Sequence, residues 1–170
     1  MLNRQEIEKL IKEKGLIAGF IDLNTQLAPN GFDLSVAGIS QFSASGALDF
    51  SNKERVVPKN KEILAKKSKP QDKFGWWQLK KGSYKIRTNE TVKLPADLVA
   101  LAFARTSLLR MGGFTQHGVW DAGFCGRGEF ILVVDNPKGI KIKQNARIAQ
   151  LVFLKINTAD KLYQGIYQER

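Results

Sequence analysis

The sequence predicts an all-β protein, a barrel or sandwich preceded by a single short N-terminal helix. Short β-like runs divided by turn residues recur along the chain, helical periodicity is confined to its start, and no segment repeats.

The helix comes first. Asn3 is placed to cap it, Glu6 completes a capping box, Ile7, Leu10 and Ile11 make an apolar stripe, and Gly15 stops it. Residues 16–23 read as a short strand. Pro29-Asn30-Gly31 then turns into Phe32-Asp33-Leu34-Ser35-Val36, whose alternation is that of a half-buried strand. Residues 37–74 carry little pattern. Beyond them, 76–79, 83–87 and 90–95 are three β-like runs parted by Lys80-Lys81-Gly82 and Thr88-Asn89. Residues 98–104 are an apolar run of buried-strand length, which periodicity alone does not tell from a turn of helix. Ile140-Lys141-Ile142-Lys143 alternates, and residues 147–154 form another strand.

At 170 residues, 43% hydrophobic and 25% charged, the chain is expected to fold as a single domain over 1–170. Charge stands where a signal peptide would carry its apolar run, and the longest apolar stretch falls far short of the roughly 20 residues of a membrane span. A soluble, cytoplasmic protein is expected. With Cys125 and His117 the sole cysteine and histidine, an internal disulfide, a Cys/His zinc site and zinc-deaminase chemistry are all excluded. The formal charge is +11, and +5 of it lies in residues 51–73. With Pro58 and Pro70 and few large apolar residues, this segment reads as a basic, solvated or mobile loop; the alternatives are a polyanion footprint or a lysine-rich adaptation to heat.

Two stretches carry chemistry. In residues 118–129 four glycines surround Asp121, which describes a tight hairpin whose backbone can approach a ligand closely. Arg105-Thr106-Ser107-Leu108-Leu109-Arg110 offers two guanidinium groups and two hydroxyls suited to phosphate, or simply a helix cap with surface charge. Asp33 is either a turn carboxylate or a group that touches a metal's water shell.

Four motifs, taken in order, add a resemblance. Pro29 to Leu34, Ala104 to Leu108, Gly118 to Asp121 with Phe124 and Gly126, and Ala146 to Leu151 resemble those of the dUTP diphosphatase (dUTPase) and dCTP deaminase superfamily. The opening helix and the segment 163–168 look more like the deaminase branch, including the archaeal bifunctional enzymes. The resemblance implies a distorted, jelly-roll-like β-barrel (a dUTPase-like β-clip) assembled as a homotrimer, with active sites at subunit interfaces. It implies dUTP as substrate, Mg2+ as cofactor, and neither a membrane nor a nucleic acid as partner. Arg105, Thr106, Ser107 and Arg110 match the segment that holds the phosphates, with Thr106 where a serine is usual. The hairpin from Gly118 to Phe124 would receive the pyrimidine through backbone groups, and Phe124 matches the aromatic that packs on the deoxyribose. Gln150 matches a polar residue beside the nucleotide. Tyr163 and Gln164 match a C-terminal tail, residues 157–170, that closes over the site. Asp121 matches the aspartate that activates the attacking water.

One position separates the two reactions of the superfamily. Deaminases carry a glutamate ten residues beyond this aspartate, and here that position is Ile131, which can neither accept a proton nor hold a water. Glu129 faces the same side by strand alternation, but two residues displace it by about 6.5 Å, so it could substitute only through a register shift such as a bulge. The expected activity is hydrolysis of dUTP to dUMP and pyrophosphate. The alternatives are a dCTP deaminase or bifunctional enzyme and, more distantly, a non-catalytic nucleotide or nucleic-acid binding module.

Overall fold

The computed structural model describes residues 1–169, and its architecture follows from how the strands share one apolar interior. In chain order the elements are α1 (Arg4–Lys14), β1 (Ile17–Ala18), α2 (Leu23–Gln26), β2 (Leu27–Ala28), β3 (Gly31–Phe42), β4 (Asn60–Ile63) and β5 (Trp76–Leu79). There follow β6 (Gly82–Lys93), β7 (Leu98–Ala104), α3 (Thr106–Arg110), β8 (Gly113–Gln116), β9 (Cys125–Val134), β10 (Ile140–Lys143) and β11 (Arg147–Lys155). The main sheet runs β7-β11-β3-β6-β9-β8, with β1 on β6 and both β2 and β4 on β3; β10 and β5 form a separate pair. All of these pairings are antiparallel, and the sheet curls into a nearly closed, barrel-like layer. The interior is filled by alternate residues of the long strands, among them Phe32, Leu34, Ile39, Ile86, Leu132 and Phe153, each fully buried.

The opening helix forms as its sequence dictates. Asn3 accepts from the Glu6 amide at 3.0 Å while Glu6 accepts from the Asn3 amide at 2.9 Å, and Gly15 ends the helix in the left-handed region at φ 63°. Ile7 and Ile11 are buried, so the helix closes over the barrel.

Four expectations change. Of residues 16–23 only Ile17–Ala18 are strand, because Gly19 leaves the extended region at φ 72° and Asp22 caps α2 by accepting from the Thr25 amide at 2.7 Å. The runs 83–87 and 90–95 belong to one strand, β6, and Thr88-Asn89 is not a break in it. Residues 88–90 bulge instead: Arg87 opposes Glu129 and Thr91 opposes Arg127, so four residues of β6 advance against two of β9. The basic segment 51–73 is not wholly loop, since Asn60–Ile63 pair with β3 and Ile63 accepts from the Trp77 indole at 2.7 Å. The glycine-rich hairpin is not tight either. Eight residues, 117–124, separate β8 from β9, and β9 has already begun at Cys125, taking Gly126 and Gly128 into the strand.

Candidate active site

The residues singled out by the sequence gather in two places. One is a polar cluster where β3, β7 and β11 meet; the other is a cleft beside the loop 117–124.

The polar cluster is built on Asp33. Antiparallel register sets Asp33 of β3 opposite Gln150 of β11, and Gln150 opposite Phe103 of β7, so the strand end that delivers Arg105 lies beside them. Asp33 is 5% exposed, and its Oδ2 accepts from Arg105 Nε at 3.0 Å and from an Arg147 terminal nitrogen at 3.1 Å. Burial pushes the Asp33 carboxyl above the usual carboxylate value, against the opposing pull of Arg105 and then Arg147. One carboxylate oxygen, Oδ2, thus serves both guanidinium groups, so Asp33 is more than a turn carboxylate. Arg147 also donates to the Thr25 carbonyl at 2.6 Å. α3 begins at Thr106 with no side chain capping it, so Arg-Thr-Ser is not a helix cap, and Thr106, Ser107 and Arg110 all stand exposed. Gln150 packs where a side chain on Gly31 would meet its Nε2 at 2.7 Å, so it belongs to this cluster and not to the cleft.

The cleft is about 410 Å³, within the range of small-ligand sites. Of the predicted residues, Gly118, Phe124 and Tyr163 line it; Trp120, Arg127 and Glu129 line it too. Phe124 stands edge-on between Trp120, 5.3 Å away, and Tyr163, 5.5 Å away. Gly128 makes room for the indole: a Cβ there would meet the Trp120 ring at 2.7 Å. Residues 121–124 form the turn, closed by a bond from the Phe124 amide to the Asp121 carbonyl at 3.1 Å, with Gly123 at φ 82°. The Asp121 side chain is exposed, and its carboxylate takes part in no hydrogen bond or ion pair among the described residues. The tail lies over this loop: the Tyr163 amide donates to the Ala122 carbonyl at 2.9 Å, and Gln168 accepts from the Cys125 amide at 3.1 Å while donating to the Gly123 carbonyl at 3.0 Å. Gln168, not the exposed Gln164, is the tail glutamine that holds the loop.

Ile131 and Glu129 are both placed. Ile131 stands between Lys85 of β6 and Gln116 of β8, while Glu129 accepts from Lys85 Nζ at 2.9 Å. A bulge does lie opposite residues 127–129, but its extra residues are on β6, so β9 keeps its regular spacing from Glu129 to Ile131.

Strand β7 joins the two places. Ala100 exchanges two backbone bonds of 3.0 Å with Trp120, next to Asp121, and Arg105 follows the other end of the strand. Five residues of strand span roughly 16 Å, so within one chain Asp121 and Arg105 do not converge on one water. Sequence reasoning missed Gln168, Arg147 and Trp120 as site groups. Arg147 and Trp120 lay inside quoted motifs, yet no local pattern told that one would reach Asp33 and the other would wall the cleft.

Comparison with known proteins places the chain in a family. The family described as dCTP deaminase-like matches residues 1–156. A probable deoxyuridine 5'-triphosphate nucleotidohydrolase of Methanosarcina mazei is 43% identical over 99% of the chain and 96% of its own length. The counterpart in Archaeoglobus fulgidus is 39% identical over 99% of the chain and 95% of its own. The deoxyuridine 5'-triphosphate nucleotidohydrolase of Methanocaldococcus jannaschii is 36% identical over 85% of the chain and 88% of its own. Among solved structures, the 2'-deoxycytidine 5'-triphosphate deaminase of Agrobacterium tumefaciens superposes with a TM-score of 0.62 at 20% identity, covering 92% of this chain; the chain spans 48% of that longer protein. The fold is thus that of the deaminase, and the chain belongs to the dCTP deaminase-like family.

Proposed function

We propose that this protein is a dUTP diphosphatase, hydrolysing dUTP to dUMP and pyrophosphate. The observation that carries the choice of reaction is Ile131. On the face of β9 where deamination would need a carboxylate, an isoleucine stands, and Glu129, one step earlier on that face, is paired with Lys85. The names carried by the archaeal relatives support the same choice.

Asp121 accepts a proton from a water whose oxygen attacks the α-phosphorus, and the bond from that phosphorus to the bridging oxygen breaks to release pyrophosphate. Its freedom from other partners suits it to that water. Arg105, Thr106, Ser107 and Arg110, with Arg147 beside them, neutralise the phosphates, and positioning and charge do most of the work in such a reaction. Gly118 and the neighbouring backbone receive the pyrimidine, Phe124 packs on the deoxyribose, Gln150 adjoins the phosphates, and Tyr163 and Gln164 belong to a tail that closes after substrate enters.

Mg2+ fits this donor set as an ion that arrives on the triphosphate. Such an ion keeps most of its waters and needs one or two protein carboxylates at most, and Asp33, whose Oδ1 carries neither guanidinium group, would touch that water shell. When bound, it supplies charge neutralisation across the phosphates. The roughly 16 Å of strand between the two halves supports a homotrimer in which Asp121 of one subunit faces the arginines of the next. Exposed apolar side chains beside the arginines, Phe103 at 57% and Leu109 at 52%, suit such an interface. No helix among the described residues is long and apolar enough to cross a membrane, and a cytoplasmic location goes with a nucleotide substrate.

The test is to incubate the protein with dUTP and dCTP separately, with Mg2+, and resolve the products. dUMP and pyrophosphate from dUTP, with dCTP unchanged, is the expected result; deoxyuridine products from dCTP would overturn the choice of reaction. Light scattering should return three times the subunit mass.

A further inference from the structure

The bulge of β6 buries a carboxylate that the proposed reaction does not use. Glu90 is 0% exposed. Its Oε1 accepts from Gln26 Nε2 at 2.7 Å and from Ser35 Oγ at 2.5 Å, and its Oε2 accepts from the Ser35 amide at 2.9 Å. An ionised carboxylate in a protein interior is costly unless its oxygens are satisfied, and here three neutral donors converge on it. All three come from the two segments that support the arginine cluster. Gln26 closes α2, whose preceding residue, Thr25, gives its carbonyl to Arg147 at 2.6 Å. The same Gln26 Nε2 donates to the Asp33 carbonyl at 2.9 Å, and Ser35 stands two residues beyond Asp33 on the same face of β3. Glu90 therefore fastens both anchors of Arg147: the carbonyl at its back and the strand that presents the Asp33 carboxylate to it and to Arg105.

We propose that Glu90 is a positioning residue, a buried clamp that fixes Asp33 and through it aims Arg105 and Arg147 at the substrate's phosphates. The proposal rests on reading those arginines as phosphate holders. An amide cannot replace the carboxylate. Gln26 is unable to turn its amide round to suit a new donor, because its Oε1 already accepts from the Ile21 amide at 2.7 Å and the Asp22 amide at 3.1 Å. With Glu90→Gln, the new NH2 must therefore point at the Gln26 NH2 or at the Ser35 N–H, and one donor loses its acceptor. The bulge is what makes the geometry possible, since it turns residue 90 inward beneath β3 between Arg87 and Thr91, which both stay in register with β9.

The test uses the full chain and two readouts. The first is hydrogen exchange of the Arg105 Nε–H by nitrogen-15 NMR, which reports the bond to Asp33 whatever the protein catalyses. The second is the Kd for inorganic pyrophosphate by calorimetry, alongside KM and kcat for dUTP. Glu90→Gln should speed Arg105 Nε–H exchange at least tenfold and raise both the pyrophosphate Kd and the KM about tenfold, with kcat within twofold. Ser35→Ala, which removes the hydroxyl donor to Glu90 and the acceptor of the Asn89 side-chain amide but keeps the carboxylate, should shift the same quantities about threefold and guards against a Glu90→Gln protein that does not fold. A folded variant with a lowered melting temperature but unchanged Arg105 exchange would make Glu90 a core carboxylate only and overturn the proposal. Faster Arg105 exchange in the variant, together with a wild-type protein that does not bind pyrophosphate, would support the clamp and overturn the phosphate reading instead.

Discussion

The two halves of the candidate site are made in opposite ways. Around Asp33, charged groups are paired before any ligand arrives: two arginines share one buried carboxylate, and backbone carbonyls take up further donors. Around Asp121 the walls are aromatic, the loop is held by a tail, and Asp121 itself is left open to solvent while the other acid, Glu129, is paired with Lys85. A group that must hold phosphate charge gains from being fixed in advance, since no reorganisation is then needed in the reaction. A group that must take a proton from water has to remain without a partner. The proposed roles of the two aspartates thus differ as their partners do.

The most severe way to break the comparison is to remove the open acid. Asp121→Asn keeps the shape and loses the base, so turnover of dUTP should fall by roughly 10²–10⁴-fold while binding of a non-hydrolysable dUTP analogue changes little. Normal turnover in the variant would remove Asp121 from the reaction. The next largest effect is expected in the other half. Asp33→Ala leaves Arg105 and Arg147 side by side without their shared counter-charge, and kcat/KM should fall on the order of 10²-fold through lost alignment. Here KM must rise more than kcat falls; the reverse split would make Asp33 part of the chemistry.

How much of this was legible depends on whether the cause is local. The capping box, the N-terminal helix and the strands at 76–79, 98–104 and 147–154 follow from neighbours in sequence, and each formed. Asp121 and the arginine segment were visible because they sit in short motifs with unusual composition. The bulge at residues 88–90 was not, because Thr88-Asn89 looks like a turn until Thr88 Oγ1 accepts from the Gly128 amide at 3.0 Å, forty residues away. Gln168 was hidden for the same reason, since nothing in the tail's sequence says which glutamine meets the loop. β4 escaped because charge masked it: its partner strand supplies the register, and its own residues show no apolar alternation. Long-range pairing decided each of these, and a single sequence does not carry it.

A smaller effect would sharpen the contrast between a half held by ion pairs and a half held by a strap. Gln168→Ala removes two hydrogen bonds to the loop, each contributing on the order of 1 kcal/mol, and leaves the tail held there by the backbone bonds of Tyr163 to Ala122 and of Glu169 to Cys125. KM for dUTP should rise roughly fivefold with the melting temperature nearly unchanged, because the tail covers the cleft and carries little of the core. A large drop in melting temperature would show that the tail is part of the barrel.

A last contrast separates the halves by pH. His117, just before Gly118, lies against Phe130 with ring centroids 4.1 Å apart, and one ring nitrogen meets Thr115 Oγ1 at 2.8 Å. Burial lowers its pKa from 6.5 to about 4. Between those values the unfolded chain binds a proton that the folded one refuses, so stability is full above 6.5 and drains as pH falls toward 4. Asp33 works with the opposite sign. Its folded pKa is raised, so the folded state takes up its proton first and gains relative to the unfolded chain as the pH drops. Acid should therefore weaken the cleft half through His117 while the arginine half offsets part of the loss. His117→Phe keeps the ring contact and removes the titration, so its melting temperature should fall less steeply than the wild type's from pH 6.5 to 4. Parallel slopes in the two proteins would mean that His117 is already protonated, and solvated, in the folded state.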